Sequence, residues 1–87
     1  MAGGRGPRPE STYEWFDVER FMADVVSTRE RWGWNRRTFA AATGLAKDSI
    51  QRWEQGANVP ALGAVCAMAL TCDLSLDVYV RKLDIGA

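Results

Sequence analysis

With 87 residues, 47% of them apolar, the chain can bury one modest core and has room for a single function. Eleven bases balance eleven acids and there is no histidine. That excludes histidine-based catalysis, and Cys66 and Cys72, with no histidine to complete a set, fit no zinc-ligand pattern. No nucleophile-base pair or phosphate-cradling glycine loop is present, so neither an enzyme nor a cofactor or small-molecule ligand is expected.

Proline and glycine gather at the start, so residues 1–10 read as a flexible arm and 11–87 as one domain. No apolar run is long enough to span a bilayer and no leader-like segment is evident, so a cytoplasmic protein with reduced cysteines and no membrane partner is expected. Charge is uneven along the chain. From Glu10 to Asp24 five acids (Glu10, Glu14, Asp17, Glu19, Asp24) face Arg20, a net of minus four. From Arg29 to Asn58 six bases (Arg29, Arg31, Arg36, Arg37, Lys47, Arg52) face Glu30, Asp48 and Glu54, a net of plus three. A basic middle suits a polyanionic partner, whereas an evenly solvated surface would need no such clustering.

Ser11 to Glu14 has the S-x-x-E form of a capping box, so a first helix starts near Thr12, or later with Asp17 as its cap. Val18, Phe21, Met22, Val25, Val26 and Trp32 follow helical spacing to about residue 32. Tyr13, Trp15 and Phe16 either extend the core or form an aromatic surface patch. Gly33 ends this helix and Asn35 caps a second over 36–43, where three alanines favour helix. Gly44 stops it, because a residue without Cβ takes the left-handed turn conformation readily. A third helix over 47–55 carries Ile50 and Trp53 at i, i+3, with alanine at residue 46 where a Ser or Thr cap would stand. Gly56 ends it. A fourth helix over 61–71 follows Pro60 and carries Leu62, Val65, Cys66, Ala69 and Leu70 into the core, with Cys66 and Cys72 both expected to be buried. Ser75 caps a fifth segment over 76–83, read as helix although Val78, Tyr79 and Val80 suit a strand as well.

Ala40, Gly44, Leu45, Ile50 and the R-W-E-x-G run from Arg52 to Gly56, with Pro60, Leu62 and the L-S-L-D run Leu74 to Asp77, resemble the helix-turn-helix of the lambda-repressor-like (Cro/CI-type) regulators. The likeness covers roughly two thirds of the chain and implies an all-α domain of four to five helices. Ala40, Gly44, Leu45, Ile50 and Trp53 would form the motif core, and a small residue at Ala40 would let the second and third helices approach closely. Thr28 departs from the family, which has a large aliphatic there.

The resemblance implies sequence-specific binding to a double-stranded operator. The third helix would enter the major groove and the second would lie across the backbone, in a homodimer acting by occlusion. With Ile50 and Trp53 turned inward, Lys47, Asp48, Gln51 and Arg52 point elsewhere and become the base readers. Arg52 can bond guanine bidentately, Gln51 adenine, and Lys47 guanine or phosphate; Asp48 either reads the cytosine amino group or serves as a cap. Arg36 and Arg37 would hold the phosphate backbone, with Ser49, Gln55 and Asn58 as further phosphate contacts. Glu54 is read as structural, a cap partner or an ion pair to an arginine. The terminal segment and Ile85 are where a dimer contact is expected. Arg5 to Arg8 either enters a minor groove or stays a free tail. The competing reading keeps the fold as a protein-interaction module, an antitoxin or an inhibitor of another regulator, favoured by zero net charge and the acidic aromatic start.

Overall fold

The computed structural model describes residues 15–81. Within them lie four α-helices, α1 (Val18–Arg31), α2 (Arg36–Thr43), α3 (Lys47–Glu54) and α4 (Leu62–Cys72), and a 3₁₀ turn, Leu76–Tyr79. The fold is therefore all-α. The expected arm, the capping box, Leu83 and Ile85 lie outside the described residues.

Asp17 caps α1, accepting from the Arg20 N–H at 3.1 Å. Residues 15–17 are not helical, so of the two expected starts the later one holds. Phe21, Met22, Val25, Thr28 and Arg29 form its buried stripe. Val26 is only half-buried, and Trp32 stands in solvent edge-on to Trp34, their ring centroids 5.0 Å apart, beyond the point where the stripe turns inward. Thr28 is buried where the family has a large aliphatic. Asn35 accepts from the Thr38 N–H at 2.8 Å and so caps α2. At the end of α2, Gly44 takes φ +77°, and the Gly44 and Leu45 N–H groups both return to the Ala40 carbonyl, at 2.8 and 3.2 Å. The chain thereby reverses tightly enough to lay α3 on α2. Ala46, as expected, gives α3 no side-chain cap bond.

The core joins Phe21, Val25, Phe39, Ile50, Val65 and Met68, all 0 to 2% exposed, with Ala40, Leu45 and Trp53 partly buried against it. Two expectations for the last third fail. On α4 the buried positions are Ala64, Val65, Met68, Ala69 and Cys72, while Leu62, Cys66 and Leu70 form an outward row. An apolar helix has no polar face to mark its outside, so counting its apolar residues overstated what it buries. Within the described residues the fifth segment is not the expected helix but a single 3₁₀ turn, Leu76–Tyr79, and the Ser75 side chain makes no cap bond. Val80 leaves the turn extended and bridges Phe16, with Asp17 N–H to Tyr79 O at 2.7 Å and Arg81 N–H to Trp15 O at 2.6 Å. The two ends of the described chain are thus tied together. Tyr79, 3% exposed, stacks edge-on to Phe21 and donates its hydroxyl to Asp24 Oδ2 at 2.6 Å. Phe16 joins this cluster and so extends the core, while Trp15 is exposed and Tyr13 lies outside the described residues.

Candidate nucleic-acid interface

Eight residues of α3 divide sharply by face. Ile50 is fully buried, and three residues on Trp53 packs against the same core. Lys47, Asp48 and Arg52 are exposed on the remaining arc, with Gln51 and Ser49 half-buried beside them. Side chains three and four apart share a face, so Ile50 and Trp53 turn inward together while Asp48 and Arg52 turn outward together, with Lys47 exposed in the first turn. The nearest contact within the set is Lys47 Nζ to Asp48 Oδ1, 4.0 Å between two exposed groups, a pair that contributes little. Gln55 and Asn58 are exposed beyond the end of α3. Arg37 is exposed on the first turn of α2.

What holds α3 in place was only partly legible in the sequence. Glu54 at its last turn has a side chain 3% exposed, sandwiched between two arginines. The Arg29 guanidinium approaches from α1, donating from Nε to Oε2 and from Nη2 to Oε1, each at 3.0 Å. Its Nη1 donates to the Trp34 carbonyl at 2.9 Å, in the link between α1 and α2. Arg36, at the first position of α2, donates from Nε to Glu54 Oε1 at 2.8 Å. One carboxylate thus ties three helices, and its charge-assisted bonds are directional enough to set the angle of α3.

This geometry corrects the charge reading. Arg29 is not part of a basic surface, because it is buried and neutralised by Glu54. Its position could have been found: Phe21, Met22, Val25, Thr28 and Arg29 continue one inward stripe, and Ile50, Trp53 and Glu54 continue another. Arg36 remains 40% exposed at the side chain, with its Nε committed to Glu54. The exposed bases on this side are Arg37, Lys47 and Arg52. Among the described residues no cluster of histidine, cysteine or carboxylates could hold a metal, and no helix is long and apolar enough to cross a membrane.

The arrangement is a set of exposed polar side chains on a helix tied to α1 and α2 through Glu54. Residues 27–79 match a family model described as a helix-turn-helix domain, a span from the end of α1 through the 3₁₀ turn. Neither a search of the curated proteins nor one of the solved structures returned a match.

Proposed function

Since the chain belongs to the helix-turn-helix domain family, a group of DNA-binding regulators, we propose that it is a sequence-specific regulator of the Cro/CI type that represses by occluding an operator. In this reading residues 11–87 act as one domain in the cytoplasm. Helix α3 enters the major groove, where Arg52 bonds guanine, Gln51 adenine, and Lys47 guanine or a flanking phosphate. Asp48 accepts from a cytosine amino group or stays at the helix start as a favourable charge. Arg37 and the outer nitrogens of Arg36 hold the phosphate backbone alongside α2, with Ser49, Gln55 and Asn58 as neutral donors at its margins. Two copies related by a two-fold axis cover half-sites about 34 Å apart.

The observation that supports this most is the split of α3, with Ile50 fully buried while Lys47, Asp48 and Arg52 are exposed, on a helix clamped by Glu54. Such pre-organisation means little ordering is needed on binding. Fluorescence anisotropy with a random-sequence duplex tests it. About four phosphate contacts give about 100-fold loss of affinity between about 50 and 200 mM salt. Absence of binding at low salt favours the second reading, a protein-interaction module on the same fold, which the exposed apolar row of α4 also suits.

A further inference from the structure

A cleft of about 630 Å³ opens between α1 and the end of α3 with the loop that follows it. Val18, Met22 and Val26 of α1 line one side and Trp53 and Val59 the other, while the exposed Glu19, Gln55 and Asn58 stand at its rim. Sites for small organic molecules have this size and this make-up, apolar walls with a few polar groups. A cleft assembled from two distant stretches of chain leaves no motif in the sequence, which is why the residue pattern alone leads to no ligand.

Charge selects the occupant. The charged residues that line the cleft are Glu19 and Glu54, both acidic. The Glu54 carboxylate is taken up by Arg29 and Arg36. Glu19 is exposed and has no ion-pair partner among the described residues. Trp53, half-buried, packs on the core and also lines the cleft. An aromatic side chain and an unpaired carboxylate around an apolar hollow match a cation that carries an apolar body, and they disfavour an anion. We infer that the cleft binds a small organic cation of the aryl- or alkylammonium class, with Glu19 at its charge and Trp53 and the α1 wall against its apolar part. Gln55 and Asn58 belong both to this rim and to the set assigned to phosphate, so the occupant competes with a duplex for them. That competition, unlike the site itself, rests on the DNA-binding reading.

Isothermal titration calorimetry of the full chain with phenylbutylammonium, phenylbutanol and phenylbutyrate compares one apolar body under three head groups. The cation should bind about 10-fold tighter than the alcohol, and the carboxylate most weakly. Glu19→Gln should bring the cation down to the level of the alcohol. Ala23→Leu puts a bulkier side chain on the α1 wall at an exposed position, and should abolish binding of all three. Leucine is a good helix former, so the circular dichroism of that variant should stay native. Anisotropy on a random-sequence duplex at low, constant ionic strength reads the competition: saturating phenylbutylammonium should weaken duplex binding by about threefold or more in the native chain and leave Ala23→Leu unchanged. No binding of the cation, equal affinity for the three probes, or undiminished binding by a natively folded Ala23→Leu overturns the site. A cation that binds as expected without weakening the duplex overturns the competition. A native chain that binds the cation but no duplex supports the site and overturns the DNA reading, and the competition falls with it.

Discussion

Replacing Glu54 by glutamine keeps the shape of the side chain and removes the negative charge that pairs with both Arg29 and Arg36. The Arg29 side chain is 9% exposed, so its guanidinium would remain buried beside a neutral amide that can accept but not balance it. Breaking a buried ion pair from one side costs about 3 to 5 kcal/mol, and the retained amide oxygen places Glu54→Gln near the lower end, about 3 kcal/mol. A domain of this size has roughly 4 to 13 kcal/mol of stability, so the loss is a large fraction. At about 4 to 8 °C per kcal/mol, Tm should fall by about 12 to 24 °C. Arg36→Met removes the rim partner alone and should cost less than about 1 kcal/mol, because that arginine is 40% exposed and water can replace its bond. The double change Arg29→Met with Glu54→Leu exchanges the buried charges for apolar contact and should recover most of the loss. Urea and thermal unfolding followed by circular dichroism read all three. If Glu54→Gln cost under 1 kcal/mol, or no more than Arg36→Met, the clamp would not be what positions α3.

Three further changes probe separate parts of the account. Ala46→Ser supplies the missing cap of α3 in a backbone already extended at φ −74°, ψ 135°, and should add about 0.5 to 1 kcal/mol in urea unfolding; a loss of stability would contradict the assigned helix start. Burial, the hydrogen bond to Asp24 and that carboxylate's charge push Tyr79 up from 10 to about 12, with Arg20 opposing them. Because the folded chain holds that proton more tightly than the unfolded one, the contribution is complete below pH 10 and is lost as pH rises towards 12. Tyr79→Phe should cost about 1 to 2 kcal/mol at neutral pH and flatten the alkaline limb, and an unchanged limb would rule out Tyr79 as its source. Arg37→Ala should weaken binding to all duplexes alike and reduce the salt slope by about one contact, whereas altered preference at one base position would reassign Arg37 as a reader.

The sequence disclosed most where structure is set locally. Asn35 capping α2, Gly44 reversing the chain and the uncapped Ala46 are each decided within a few residues, and the bounds of α2 match the expectation while α3 closes one residue early, at Glu54. It disclosed least where a residue's environment is made by distant chain. Arg29 looks like a surface base until Glu54, 25 residues later, is laid against it. Val80 takes an extended form because Phe16 offers it a bridge, a pairing between opposite ends of the described chain. Cys66, Leu62 and Leu70 could not be separated from Val65 and Ala69 by hydropathy, because α4 is apolar on every side. For the interface, the inward anchors Ile50 and Trp53 follow from spacing, and the exposure of Lys47, Asp48 and Arg52 follows from those anchors. Which base each would contact in the proposed complex depends on the duplex and is not encoded in helix geometry.

Burial of the Cys72 thiol pushes its pKa up, with Arg31 acting in the opposite sense. Thiol labelling should therefore separate the two cysteines by accessibility and thiolate fraction, Cys66 reacting in the folded chain and Cys72 only as it opens. Loss of the slow phase in Cys72→Ser would confirm the assignment, and equal rates for both thiols would argue against the orientation given to α4.

Whether α3 reads bases is tested most directly by selecting bound duplexes from a random pool with the native chain and, in parallel, with Arg52→Ala. The native chain should return a two-fold symmetric consensus, and the variant the same consensus with one position per half-site relaxed, at about 1 to 3 kcal/mol for the lost base contact. An identical consensus from both chains, or none from either, would contradict the assignment of α3 as the reading element.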